Sequence, residues 1–155
     1  MTPADPDRER RQRAAVLEEA RSWIGTRWHH GARVKGAGVD CGQLLIAVYQ
    51  AGGVVGALSP EPYPQDWALH RGEERFLQEV ERYALRLPEA EIPQPADLLL
   101  FRYGRCLSHA AIVEAWPIVI HAYLNEGRVV RDDLVRNSEL AARYAGAWSP
   151  WRKHG

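Results

Sequence analysis

Residues 39–50, Val39-Asp40-Cys41-Gly42-Gln43-Leu44-Leu45-Ile46-Ala47-Val48-Tyr49-Gln50, place a cysteine at the start of an apolar run. Asp40 is followed three residues later by Gln43, a capping-box arrangement with Asp as the cap, and Gly52-Gly53 marks where the helix stops. Cys41 then lies in the first helical turn. Unpaired backbone N–H groups and the positive end of the macrodipole there favour a thiolate over a thiol. A thiolate is a nucleophile, and the same N–H groups can donate to an oxyanion forming on a carbonyl that the sulfur attacks. Taken alone, Cys41 fits equally well as a small apolar residue packing a helix start.

Upstream, Val16, Ala20, Trp23 and Ile24 fall at helical spacing with a charged opposite face, which predicts a surface helix from Arg8 to Ile24 ended by Gly25. Gly25-Thr26-Arg27-Trp28-His29-His30-Gly31, with Gly36 and Gly38 close behind, reads as a glycine-punctuated loop that borders a site. Downstream, Pro60, Pro62 and Pro64 mark an extended connection. Phe76, Leu77, Val80, Ala84 and Leu87 then give a second helical period, closed by Pro88, Pro93 and Pro95.

From Asp97 the texture changes to short β-like runs: Leu98–Phe101, Ala110–Val113, Ile118–Tyr123 and Val129-Val130. Ser138 is expected to cap a short turn through Leu140 to Tyr144, and Gly146–Trp151 to supply a last strand. Helices followed by an antiparallel meander predict an α+β domain with the Cys41 helix packed on one face of the sheet.

A cysteine nucleophile needs an imidazole as its base, and His109 and His121 both fall in the strand region. If Ala115, Trp116 and Pro117 form a three-residue loop, Val113 pairs with Val119, Ala111 with His121 and His109 with Tyr123. The two histidines then share a face as diagonal neighbours, at roughly 7–8 Å between backbone positions, within reach of a hydrogen bond. A two-residue loop would put them on opposite faces. A core histidine satisfied by backbone is the competing reading of His121.

The chain of 155 residues is the length of one domain, expected over residues 9–152 behind a flexible lead at 1–8. Twenty Lys plus Arg balance twenty Asp plus Glu without a basic block, so no nucleic-acid partner is expected. Two cysteines make no disulfide framework, so Cys41 and Cys106 are read as free thiols, with Cys106 an idle one in a loop beside Arg105. His29, His30 and Cys106 lack the spacing of a zinc site, and no metal or other cofactor is expected. The amino terminus carries no secretory core and no run is long enough to span a membrane. A product made in the cytoplasm, without a signal peptide or membrane insertion, is expected.

Thr26–Gly31, Val39–Leu45, Pro95-Ala96-Asp97-Leu98-Leu99-Leu100-Phe101, Ser108–Val113 and Ile120-His121-Ala122-Tyr123 follow the order and spacing of motifs in the NlpC/P60 cysteine peptidases, which the chain resembles over nearly its whole length. It is most similar to the short branch found in bacteriophage tails and gene transfer agents. The resemblance implies a papain-like NlpC/P60 fold, with N-terminal helices on a central antiparallel sheet and the nucleophile at a helix N-terminus. It implies cleavage of peptidoglycan stem peptides, typically between D-γ-glutamyl and diaminopimelate residues.

The resemblance further implies Cys41 as nucleophile, His109 as base and acid, and His121 as the residue that orients it. Trp28, His29, His30, Asp40 and Gly42 are expected to contact substrate or support the oxyanion. Gly42-Gln43 stand where the family has Ser-Gly, removing a serine that in many members helps hold the substrate's amino end. Trp28 takes the place of a tyrosine, and Ala96 that of a turn glycine.

Implied partners are the wall peptide and the tail-hub or baseplate proteins of a phage-like particle, which would carry the enzyme to the periplasm or cell wall. A structural tail-hub plug with a weak or masked site, and an amidase or acyltransferase using the same triad, are the alternative functions. If the site is solvent-lined, replacing His121 is expected to leave the melting temperature near that of the unaltered protein.

Overall fold

The computed structural model describes residues 5–56 and 75–154. Asp5 accepts from the N–H groups of Asp7 and Arg8 and opens helix α1, Pro6–Ser22. This is two residues before the expected start, because the cap lies upstream of the charged run. Pro6–Arg8, expected to be part of a flexible lead, are helical. Helix α2, Cys41–Ala51, is capped as the sequence predicts, with the Gln43 N–H donating to Asp40 Oδ1 at 2.9 Å. The two helices cross closely at Gly52, where a Cβ would lie 2.5 Å from Val16 Cγ2.

Between them the glycine loop folds into a small hairpin of β1, Arg33–Val34, and β2, Gly38–Val39. The connection expected at Pro60, Pro62 and Pro64, like residues 1–4, lies outside the described residues. Helix α3, Arg75–Tyr83, is shorter than its apolar period implies. The chain leaves the helix before Leu87 and enters strand β3, Leu85–Arg86.

The remaining strands are β4 (Leu98–Tyr103), β5 (Cys106–Ala115), β6 (Ile118–Tyr123), β7 (Arg128–Asp133) and β8 (Tyr144–Ser149). They form one sheet in the order β3-β8-β4-β5-β6-β7, antiparallel at every described pairing. The α+β class and the antiparallel sheet are as read from the sequence. Helix α4, Ser138–Ala142, is capped by Asn137 instead of Ser138, since the Asn137 side chain reaches the Leu140 N–H. The last strand ends at Ser149 and Pro150 starts helix α5, Pro150–His154, a proline at a first helical position.

The two faces of the sheet carry separate cores. On one, Val16, Leu44 and Val48 of the helices pack on Leu98, Leu100 and Ile112. Burying each such side chain contributes about 1.5–3 kcal/mol. On the other, Leu99, Phe101 and Val113 pack with Leu134 and Leu140.

Residues 94–97 tie the layers together. The Tyr49 hydroxyl donates to the Ala96 carbonyl at 2.8 Å, and Arg13 reaches both the Pro95 carbonyl and the Asp97 carboxylate. Ala96 holds φ +77, the left-handed conformation for which a glycine in that turn would be suited.

Two bulges shape β5. Phe101 pairs with His109 but Arg102 with Leu107, leaving Ser108 as an extra residue. Leu107 therefore faces the helix-side core while His109, two residues on, turns to the opposite face. Val113 pairs with Val119 and Ala115 with Ile118, which leaves Glu114 extra. The hairpin turn thus contains two residues, Trp116-Pro117, in place of the expected three. The bulge at Glu114 restores the predicted Val113–Val119 register.

Candidate active site

Asp40 builds the helix side of the site. It is buried, and while Oδ1 holds the Gln43 N–H, Oδ2 accepts from the Gly31 N–H at 2.7 Å. The carboxylate so fastens the loop carrying Trp28, His29 and His30 to the start of α2. Trp28 is half-buried against the helix-side core, His29 is exposed, and His30 and Gly42 are partly exposed. Both Asp40 oxygens have structural partners, which makes it a clamp between loop and helix.

Cys41 is partly exposed as a residue, yet its thiol points inward and donates to the Ser108 carbonyl at 3.6 Å. Burial pushes the thiol up to about 12, and the Asp40 carboxylate adds to the rise. The N–H groups of Ala110, Gly42 and Cys41 pull the other way without cancelling it. This corrects the expectation of a resting thiolate: the helix terminus does favour the anion, but desolvation outweighs it. Cys106, expected in a loop, is the first residue of β5 and is buried.

The strand side places the histidines as the register predicts. His109 Nε2 lies 2.8 Å from His121 Nδ1. His109 is 8% exposed and His121 0%. Burial, reinforced by His121 and opposed by Asp132, holds the His109 imidazole well below its usual range, so it rests uncharged. His121 stacks on the Tyr123 ring with centroids 4.4 Å apart. The condition for an unchanged melting temperature, a solvent-lined site, is not met at His121, because the ring is enclosed between strands and its removal must affect stability.

The structure brings His109 and His121 into direct contact and sets the Cys41 sulfur against the residue preceding His109. It also adds a group that the sequence reading missed. Asp132 on β7 lies with Oδ2 3.0 Å from His121 Nε2, and the Asn137 side-chain amide donates to the same oxygen at 2.8 Å. Its signal was the diagonal rule applied once more: Val119 pairs with Asp132 and His121 with Val130, so Asp132 is diagonal to His121 as His121 is to His109. Among the described residues, no group of three or more His, Cys, Asp or Glu side chains is arranged to hold a metal ion. No described helix is long and apolar enough to cross a membrane.

No protein-family model matches the sequence, and no curated protein does. Solved structures do. A lipoprotein-like protein of the NLP/P60 family from Staphylococcus aureus subsp. aureus Mu50 superposes with a TM-score of 0.65 at 20% identity, over 95% of this chain and 42% of that one. The fold is that of the NlpC/P60 proteins. The peptidoglycan hydrolase RipB of Mycobacterium tuberculosis matches with a TM-score of 0.65 at 18% identity, over 94% of this chain and 67% of its own. RipD of the same organism, a non-catalytic NlpC/p60 domain protein adapted to peptidoglycan binding, matches at 0.56 and 11% identity, over 88% and 95% of the two chains. This NlpC/P60 fold spans less than half the length of the Staphylococcus aureus chain.

Proposed function

We propose that the chain is a cysteine hydrolase of the bacterial cell wall that opens amide bonds in peptidoglycan stem peptides. The observation that carries this reading is the Cys41 thiol at a capped helix start, set against the strand that presents a His109–His121 pair. His109 turns Nε2 to His121, which leaves Nδ1 to take a proton.

In the reaction the thiol proton passes to His109 Nδ1 as the sulfur attacks the carbonyl carbon. The resulting oxyanion is met by the N–H groups of Cys41 and Gly42. His109 then hands that proton to the leaving amine, which departs with the electrons of the broken C–N bond and leaves a thioester. A water deprotonated by His109 attacks the thioester, and the acid product and thiol are released.

Within that reading, the bond cut is of the D-γ-glutamyl–diaminopimelate type, and the enzyme works on the tail tip of a phage-like particle that carries it to the periplasm or wall. The motif resemblance supports both statements. Digesting purified peptidoglycan and identifying the muropeptides by mass spectrometry tests activity and bond together, with Cys41→Ala as the inactive control. Copurification with tail-hub or baseplate proteins tests the location. A second reading, a wall-binding or tail-hub domain with a masked site, is favoured by the buried, uncharged thiol and by RipD. Binding to intact peptidoglycan without any new fragment would select it.

A further inference from the structure

We infer that Asp132, braced by Asn137, is a positioning residue that fixes the tautomers of both histidines and leaves His109 Nδ1 unprotonated. The inference rests on the proposed cysteine chemistry for its use, but its content is a proton arrangement that can be measured without any substrate.

The contacts permit little else. Asp132 Oδ1 accepts from the Asp133 N–H at 2.8 Å, and Oδ2 accepts from Asn137 Nδ2 at 2.8 Å. The His121 hydrogen bond draws the Asp132 carboxyl below its ordinary value, so at neutral pH it is ionised and can only accept. His121 Nε2, 3.0 Å from Oδ2, must therefore carry a hydrogen. In a neutral ring Nδ1 then holds a lone pair. His109 Nε2, 2.8 Å from that lone pair, must in turn be the donor. The hydrogen of the neutral His109 ring is thereby placed on Nε2, and Nδ1 is left free. The opposite order would set the His121 Nε2 lone pair against a carboxylate oxygen. Three adjacent strands thus write one proton pattern along a single diagonal, and β7, the sheet edge, sets its sense.

The experiment is a two-bond proton–nitrogen correlation spectrum of the full chain with 15N-labelled histidine at pH 8, read beside muropeptide turnover. Both His109 and His121 are expected as Nε2–H tautomers. An Nδ1–H tautomer of either ring, or a doubly protonated His121, overturns the inference, and this measurement needs no variant.

Asp132→Ala is expected to mix the tautomers and lower kcat by about ten- to a hundredfold, with KM within about twofold. Asp132→Asn should restore both in part, because an amide oxygen at the Oδ2 position still meets the His121 and Asn137 donors, while the amide nitrogen at the Oδ1 position loses the bond from the Asp133 N–H. Tautomers unchanged in Asp132→Ala also overturn the inference. If the unaltered protein shows the Nε2–H pattern but cuts no peptidoglycan, the proposed function fails and the proton arrangement stands.

Discussion

The two halves of the site are built on opposite terms. On the strands, His109 and His121 are enclosed, and three of their four ring nitrogens have partners in a chain that ends on a carboxylate. On the helix, Cys41 has a weak contact to a carbonyl and a thiol that burial keeps protonated. In the proposed reaction the base is organised in advance, while the nucleophile is activated only when its proton leaves. Such a division would keep a reactive thiolate from standing exposed at rest and place the proton transfer of the proposed reaction inside the attack step.

The largest expected effect comes from removing either end of that transfer. Cys41→Ala should abolish cleavage, and His109→Asn should lower kcat by about a thousandfold or more, since an amide cannot shuttle a proton. Residual turnover in Cys41→Ala would sink the division outright.

Next is His121→Ala, expected to lose most turnover and also about 2–3 kcal/mol of stability, because it leaves the His109 N–H and the Asp132 carboxylate without their partner. His121→Asn should recover part of both. Chemical denaturation with a parallel rate assay separates the two losses, and an unchanged denaturation midpoint would contradict the enclosed ring.

The neutral resting pair is tested by pH. With Cys41 pushed up to about 12 and His109 held well below 6.5, alkylation by iodoacetamide should be slow at neutral pH and accelerate only in strong alkali. The acid limb of kcat/KM should fall below pH 6.5. Fast labelling near pH 6 would mean a preformed thiolate.

The smallest effect belongs to Glu114, gripped by Arg131 and Arg21 and held down to about 2 from an ordinary 4.5, with the Arg131 hydrogen bond the main cause. A depressed carboxylate contributes stability above the unfolded value and loses it as pH falls. Glu114→Gln should therefore be less stable by about 1 kcal/mol above pH 5, with the gap closing between about pH 4.5 and 2. A constant gap across that range would show that the ion pairs contribute nothing.

The positions of Cys41, His109 and His121 were legible because each depends on a strong local rule. Asp40 and Gln43 cap a helix whatever surrounds it, and the facing of the two histidines depends on Val113 meeting Val119. That register needs the number of intervening residues, and is indifferent to whether one of them bulges or joins the turn. Asp132 was missed because β7 was read only as Val129-Val130, and its polar end, Arg131-Asp132-Asp133, lacks apolar alternation. The state of the thiol was misread for another reason: a helix terminus is written in the sequence, but the desolvation that opposes it is a property of the assembled fold. The end of α3 escaped for a similar reason, since Leu87 keeps the helical period yet belongs to the other core.

Ser108 has a bearing on what surrounds the Cys41 thiol. Remove it, and Leu107 still pairs with Arg102 while His109 still pairs with Phe101; no apolar residue changes sides. Ser108 therefore adds one peptide unit to the sheet and turns its carbonyl toward the Cys41 sulfur without changing the face of either neighbour. Insertions are usually tolerated in surface loops. Here the extra residue is accommodated inside the sheet, where it shapes the surroundings of the Cys41 thiol while Leu107 and His109 keep their faces.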